Sequence, residues 1–560
     1  MKILLIKPPW AIFTTGTYNL PLGLCYLASS LREAGFGEVR IYNCDMDEGE
    51  KIEESTIQKN YERYIRSYNL DNPIWDELRA YMKEFRPDII GITIMTPEYT
   101  SALNVISIAK EILPHSIIIG GGIHPTILPE RTLVETDTDF LVIGEGELTL
   151  PELVLSLKRD RSFHDLRGVA YKSKGKVVVN SSRPFIKDLD QIPFPARDLL
   201  VNQKNIPVNC GLIITSRGCP SKCIFCASHK LWSRRVRFRS PENICKELLN
   251  VKSLYGTSHF RFTDDSFTLN KERIISLCQL IIDQNLEISW ECDTKPEFLD
   301  EELLIKMKES GCVQINIGIE SGNERIRRLI RKEPTLDKIE KIVALIKREG
   351  IRVVGYFMFG FPTESKEDME ETLNFMERLG CYPCVSLATP YPGTEMWEMA
   401  VSSNKIPQNL PWEAHFHHSP KLPNISETNS EDFVKIAIKA DEIQREYLRT
   451  QTEEELERRI YRQLSSLYSN AARKKIALFG VGKLGSLCLR YLPEFDVEIV
   501  AVVDSDLAKQ GMVVEGFEIL PPSILDKFEV DEVLVTSIYF LEIHSRLRPL
   551  EEKGIKIQVV

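Results

Sequence analysis

Three cysteines in the stretch SRGCPSKCIFCASH, Cys219, Cys223 and Cys226, are spaced by three and then two residues and follow directly on the apolar run GLIITS. Thiolates are the usual ligands of iron–sulfur clusters. Three of them can bind three irons of a cubane and leave the fourth iron open to chelate a substrate. A structural zinc site is ordinarily closed by four protein ligands, and His229 is the only local candidate for the fourth. The chain has thirteen cysteines, an odd number, and most of the others, such as Cys25, Cys278 and Cys488, sit singly in apolar segments. That argues against a disulfide framework and fits small buried hydrophobes. Cys381 and Cys384 form a lone Cys-x2-Cys in a strand-like stretch, which alternate-face packing explains.

Four further groups could do chemistry. Asp264 and Asp265 in RFTDDSFTLN could bond an amine, act on a substrate or cap the next segment, capping being the commoner use of such residues. Lys230, Arg234, Arg235, Arg237 and Arg239 carry five positive charges without an acid among them. Such a run reads as a solvated face, or as a source of one arginine, Arg239 first, for an anionic group. His415, His417 and His418 lie in a proline-containing segment with no acid or cysteine to complete a metal set, and read as surface loop. Near the C-terminus, Gly480, Gly482 and Gly485 fall in Gly-x-Gly-x-x-Gly order between a strand-like and a helical run, with Asp504 ending the next strand. Glycines there permit a tight turn and phosphate approach, and the acid could bond ribose hydroxyls. A nucleotide-bearing ligand and a ligand-free packing module are both open readings.

The elements that must position these residues suggest an α/β multidomain chain. Its 560 residues exceed what one core supports, so about three or four domains are expected. Residues 1–150 alternate apolar runs (KILLIK, IIGITIM, SIIIGGG, FLVIGEG) with helical ones, as in a doubly wound, flavodoxin-like sheet, with a charged helical insertion from about Asp47 to Phe85. Residues 151–205 read as a connector ending in QIPFPARDLL, where prolines disfavour regular elements. From 206 to 405, six strand-like runs (LIITS, HFRFT, EISWECD, VQINIG, VVGYFMFG, CVSLAT) alternate with helices, as in a partial (β/α)6 barrel with active groups at the strand C-terminal ends. Residues 406–470 read as a loop and a charged helix, and 471–560 as a Rossmann-like unit. A net charge of −10 gives no overall basic field for nucleic acid. No apolar stretch is long enough to span a bilayer, and the prolines of MKILLIKPPW interrupt any secretory core, so the expected location is the cytoplasm.

The cysteine motif, with Phe225 before the third cysteine, resembles the signature of the radical S-adenosylmethionine (SAM) superfamily. RFTDDSFTLN, IGIESGNERIRRLIRK, GYFMFGFPTES and ATPYPGTEMW, in that order, resemble its cobalamin-associated branch. The resemblance implies a [4Fe-4S] cluster on Cys219, Cys223 and Cys226, whose open iron holds SAM and whose electron generates a 5′-deoxyadenosyl radical. It also implies an electron donor such as flavodoxin or ferredoxin. It assigns SAM contacts to Glu320 and Ser321, and adenine approach to Gly355 and Gly360, read as flanking the fifth strand. PLGLCYLASSLREAGF, ITIMTPEYTSAL, GGIHPTILPE and GEGELTLPEL resemble the cobalamin-binding domain that precedes such barrels, with Gly120, Gly121 and Gly122 lying close to a nucleotide tail. The Asp-x-His-x-x-Gly motif for an axial histidine is absent, and His124 reads as a loop residue. The resulting expectation is a methyltransferase acting on an unactivated carbon of a small molecule. A cyclase or rearrangement enzyme with the same cofactors, and a non-enzymatic redox or nucleotide sensor, are the alternatives. No catalytic residue beyond the cofactor contacts is assigned.

Overall fold

The computed structural model describes the chain apart from residues 11–19, 45–56, 203–209, 420, 469–472, 537–546, 548, 549, 552 and 560. It divides into two units, Met1–Arg445 and Glu446–Val560. Residues 47–56 of the expected helical insertion lie outside the described residues; the remainder forms helices Ile57–Tyr68 and Ile74–Phe85.

Apolar runs decide the first sheet. Along β1 (Lys2–Lys7), Ile3 and Leu5 enter one buried cluster and Leu4 and Ile6 another, so the strand is covered on both faces. Helices Leu22–Glu33 and Gly146–Lys158 cover one side, Ile74–Phe85 and Tyr99–Ile112 the other. With β2 (Glu38–Asn43), β3 (Ile89–Thr93), β4 (Ile117–Gly121) and β5 (Phe140–Val142), β1 forms a parallel set in the order β2-β1-β3-β4-β5. Sheets of this kind bind ligands beyond the strand C-termini, where the order reverses. The region read as a connector contributes to this sheet. β6 (Val169–Ser173) and β7 (Lys176–Val179) form an antiparallel hairpin on the edge of β5. Lys174 and Gly175, both at positive φ (49° and 75°), make the two-residue turn that such a hairpin requires. The prolines of QIPFPARDLL do exclude longer elements, leaving only two short 3-10 turns.

The second sheet contains all six expected strands, every neighbouring pair parallel and in chain order: β8 (Leu212–Ile213), then β11 (His259–Phe262), β12 (Ser289–Thr294), β13 (Cys312–Glu320), β14 (Arg352–Phe359) and β15 (Tyr382–Leu387). Between β8 and β11, a two-strand antiparallel ladder of β9 (Ser216–Arg217) and β10 (Arg237–Phe238) closes the cysteine loop. The intervening helices start on side-chain caps that accept a first-turn N–H, Ser240 from Asn243, Asn270 from Arg273, Asp300 from Leu303 and Asn323 from Ile326. Ser365 and Asp368 form a reciprocal capping box. Helix starts are thereby fixed one loop after each strand end, where the polar residues collect.

A 39-residue helix, Ser430–Tyr468, carries the expected charged stretch. The second unit has a sheet ordered β18-β19-β17-β16-β20-β21, comprising β16 (Lys474–Phe479), β17 (Val497–Val503), β18 (Val513–Val514), β19 (Phe517–Leu520), β20 (Glu532–Val535) and β21 (Lys556–Val559), parallel except at β18–β19. No helix among the described residues is long and apolar enough to cross a membrane.

Candidate active site

The cysteine loop is pinned before it presents its thiols. Arg217 faces Arg237 across the β9–β10 ladder, and Gly218 (φ +99°) follows so closely that a Cβ there would lie 2.7 Å from the Arg235 carbonyl oxygen. Asp264 holds the approach to the loop, accepting the Thr215 N–H at 2.6 Å, the Ser216 N–H at 3.1 Å and the Ser216 hydroxyl at 3.0 Å. Its role is therefore neither a substrate contact nor the expected capping of the segment that follows it: it ties the end of β11 back to the strand that leads into the cysteine loop. Cys219, Cys223 and Cys226 are partly exposed free thiols, whereas nearly all the other cysteines are buried. All three line one cavity of about 190 Å³. Burial pushes the Cys226 thiol up to about 11, with Asp265 and the other two thiols adding to the effect. Such thiols ionise when a metal takes the proton's place, so the donor set fits a metal cluster. His229 faces the Cys226 carbonyl with Nδ1 at 3.1 Å. Among the described residues no group of three or more His, Cys, Asp or Glu converges on one ion position. Three thiols lining one cavity are a donor set that a cubane can use, each sulfur meeting its own iron.

The rest of the cavity comes from strand C-terminal ends: Asp265 after β11, Asp293 and Thr294 on β12, Lys295 beyond it, Asn316, Gly318 and Glu320 on β13, and Tyr356 on β14. Glu320 sits at an irregularity of the β13–β14 register and at φ +70°, a left-handed conformation that re-aims its side chain into the cavity. Lys332 meets its Oε1 at 2.9 Å and donates to the Gly318 carbonyl at 3.1 Å. Burial alone would lower the Lys332 ammonium, but Glu320 and Cys223 carry it above its ordinary value. Asp293 accepts the Tyr356 hydroxyl at 2.9 Å and the Asn316 amide at 3.0 Å, and Arg261 pairs with it at 3.2 Å. Burial raises Asp265 despite the hydroxyl of Ser228. Lys332, Asp293, Asn316 and Tyr356 escaped sequence reasoning; for the last three the one signal available was the alternation of polar residues along strands that are otherwise apolar, whereas Lys332 lies in the loop after helix Glu324–Ile330.

Several expectations need correction. Ser321 is buried away from the cavity, accepting the Asn323 N–H at 3.1 Å and bonded to Thr372 at 3.2 Å. Gly355 lies inside β14, and a Cβ there would strike Ile319, Phe357 and Cys381, so the glycine serves packing of the outer face. Gly360 (φ +97°) follows that strand, and a Cβ would come 2.9 Å from the Phe433 ring. Its N–H and that of Phe361 go to Glu364, a carboxyl that burial pushes up to about 8. Arg239 is no anion receptor: it is buried and shares Glu247 with Arg197, at 2.6 and 2.7 Å.

In the first sheet, Gly120 and Gly122 are occupied by the chain itself, their Cβ positions lying 2.8 Å from Leu141 Cδ2 and from the Ile94 carbonyl oxygen; Gly121 has ordinary clearance. His124 belongs to the short helix Ile123–Ile127 beyond β4 and is buried, with Nδ1 3.1 Å from the Thr96 hydroxyl and its ring against Tyr99 and Trp412. In the histidine tract His415 and His418 are buried and His417 is half-buried, so it is not surface loop. Burial pushes His415 and His418 down to about 4 and His417 to about 3. His415 gives Nδ1 to the Pro411 carbonyl, leaving its Nε2 without a partner, as is the Nε2 of His124. Both rings pack against Trp412, and that of His124 against Tyr99 as well, so what fits cobalamin here is the parallel order of the sheet, whose strand C-termini form the ligand end.

In the second unit, Gly480 stands at φ +101° and a Cβ on Gly485 would lie 2.2 Å from the Gly480 carbonyl oxygen, while nothing lies within 4 Å of a Cβ on Gly482. Asp504 is already engaged: it accepts the Val481 N–H at 2.7 Å and the Asp506 N–H at 2.9 Å and pairs with Lys509 at 3.1 Å.

Residues 213–376 match the Radical SAM superfamily, 11–154 the B12 binding domain, and 472–557 the family described as C2185-like, N-terminal. The cytidylyl-2-hydroxyethylphosphonate methyltransferase of Streptomyces wedmorensis is 28% identical over 449 residues, 70% of this chain and 80% of its own. The radical S-adenosylmethionine methyltransferase TsrM of Kitasatospora setae, a solved structure, shares the fold with a TM-score of 0.58 at 18% identity, over 72% of this chain and 76% of that one. A protein of Pyrococcus horikoshii described as an uncharacterized methyltransferase is 36% identical over 449 residues, 79% of this chain and 91% of its own. Likeness of that extent, spanning a B12-type sheet and a thiol-lined cavity at the ends of parallel strands, means that this chain belongs to the cobalamin-binding radical SAM family of enzymes.

Proposed function

We propose that the enzyme transfers a methyl group from SAM to an unactivated carbon of a small molecule. The observation that carries this reading is the cavity: three free thiols face acids and a buried lysine at the strand ends of a chain whose first sheet matches the B12 binding domain. Cys219, Cys223 and Cys226 would hold the [4Fe-4S] cluster. When bound, the reduced cluster supplies the electron that breaks a carbon–sulfur bond of SAM, and cobalamin supplies the methyl carrier. Glu320, fixed by Lys332, is placed to accept a hydrogen bond from the SAM amine or ribose. Asp293, oriented by Tyr356 and Asn316, is placed to accept one from the substrate. Phe225 and Tyr356 cover apolar surface of the cavity and limit water near a reactive radical. The electron would come from a flavodoxin or a ferredoxin.

In finer detail, we read the β2-β1-β3-β4-β5 order as flavodoxin-like, the second sheet as a partial (β/α)6 barrel and the C-terminal unit as a Rossmann-like nucleotide module. The test of function is an anaerobic reaction with methyl-labelled SAM, a reductant, hydroxocobalamin and a panel of small molecules. Methyl transfer requires both 5′-deoxyadenosine and label in the product. Deoxyadenosine without label in any product would replace the reading with a cyclase or rearrangement enzyme, and neither product would favour a sensor.

A further inference from the structure

Two arginines that read from the sequence as part of a solvated run, or went unremarked, are buried against two glutamates of the other sheet. Glu145 lies in the loop after β5, at the start of helix Gly146–Lys158, and its side chain is 3% exposed. One of its oxygens accepts from Arg217 and from Arg237, both at 2.8 Å. The other accepts from Arg237 at 2.9 Å and from the Ile186 N–H at 2.7 Å. Glu147 takes the second arm of Arg217. The Arg217 guanidinium also lies 4.7 Å from the Trp232 ring centre and 5.6 Å from that of Tyr26. These arginines face each other in the ladder that closes the cysteine loop, and Arg217 precedes Cys219 by two residues. Side by side, two guanidiniums repel; two carboxylates balance them, and in a buried setting such pairing is strongly geometry-dependent. The glutamates sit beyond a strand C-terminus of the first sheet, on the side where such sheets bind ligands.

We propose that Glu145, Glu147, Arg217 and Arg237 form a clamp that sets the separation between the cluster and the corrinoid, with Glu145 as its principal positioning residue. This rests on the cofactor assignment above. The clamp adds a polar tie to an apolar one, since the cluster around β1 takes in Leu212 of β8 while the cluster around β12–β14 is separate. Glu145→Gln keeps the shape and removes the charge, leaving two guanidiniums to share Glu147. The loop ends should then relax relative to the first sheet while each cofactor keeps its own contacts.

The experiment uses full-length enzyme, cluster-loaded and incubated with hydroxocobalamin. Pulsed EPR measures the dipolar coupling between the reduced cluster and Co(II), alongside iron content, hydroxocobalamin affinity and substrate-free SAM cleavage. In Glu145→Gln the spread of cluster–cobalt separations should widen at least about twofold, with iron content and corrinoid affinity within about twofold of wild type; Glu147→Gln should widen it less. An unchanged distribution in Glu145→Gln overturns the proposal. So does a parallel loss of cluster, corrinoid affinity and fold in Glu145→Gln combined with a wild-type distribution in Glu147→Gln, which would make the glutamates structural only. Absence of a bound cobalt signal in the wild type would instead sink the cofactor assignment, and is read before any variant is made.

Discussion

The cysteine loop and the C-terminal glycine turn are both strand-to-helix loops whose residues promised a ligand, and they use their polar side chains in opposite ways. Around the cysteines, backbone and neighbours are consumed in pinning the loop, through Gly218, Asp264 and the Arg217–Arg237 ladder, so that three thiols remain free to face a cavity. At the glycine turn Asp504 is engaged by the Val481 and Asp506 N–H groups and by Lys509, while nothing lies within 4 Å of a Cβ on Gly482, so a ligand there would meet open backbone more than side chains. A functional loop is marked by what its surroundings leave unspent, and spacing alone does not reveal that.

Each side of this comparison can be broken. The largest effect is expected from Cys223→Ala: two thiols cannot fix a cubane with one defined open iron, so anaerobic 5′-deoxyadenosine formation, followed by mass spectrometry, should vanish. Full retention would remove the cluster assignment. Gly218→Ala should act next most strongly, because a left-handed φ and a 2.7 Å approach to the Arg235 carbonyl both oppose a Cβ. Iron bound per chain should fall several-fold with the thiols intact, and normal iron loading would show that the pinning is dispensable.

Two acids that hold glycine turns should answer pH with opposite signs. Glu364 is raised to about 8 by burial, against 4.5 as the ordinary value, so the folded state keeps a proton that the unfolded state releases. Its contribution to stability therefore falls as pH rises from about 4.5 to about 8. Asp504 is raised by burial but lowered overall by the N–H groups of Asp506 and Val481 and by Lys509, so its contribution is present above 3.8 and lost on acidification. Urea melts of Glu364→Gln should show a weaker decline toward pH 8 than wild type, and those of Asp504→Asn a weaker decline in acid; matching curves for variant and parent would refute either assignment. The smallest structural effect belongs to Gly482→Val, since nothing lies within 4 Å of the added Cβ. Substrate-free SAM cleavage should be unchanged, and a thermal-shift panel of dinucleotides and nucleotide-sugars on the full chain should show a shift that the variant loses. No shift in the wild type would leave the turn as packing.

The parallel strands were legible because Ile, Val and Phe runs buried on both faces leave little doubt about their environment, and the cysteines because their spacing has few other uses. Residues whose role depends on partners far along the chain were not. Glu145 reads as one acid in a helical start until Arg217 and Arg237 are folded against it. The histidine tract reads as surface because local composition cannot show that Phe416 stacks on Tyr64, with ring centres 4.6 Å apart, or that Trp412 lies against His124. Gly355 and Ser321 were assigned by their place beside a strand end, yet a single residue of pleat decides which face is reached, and both turn from the cavity. The β6–β7 hairpin hid because its outer strand is partly exposed and lies among polar residues.

The strictly consecutive order of the second sheet bears on biosynthesis. Chains emerge N-terminus first and fold as they do so. The thiols follow β8, the first strand of the sheet, whereas Glu320 and Tyr356 arrive with β13 and β14, after the bulk of the sheet has been translated. During that interval the cysteines are born without their enclosure and exposed to any oxidant or stray metal in the cell. The enclosure of the three thiols is therefore completed only when β14 is in place, and a chain truncated before β13 should hold them without Glu320 or Tyr356 around them.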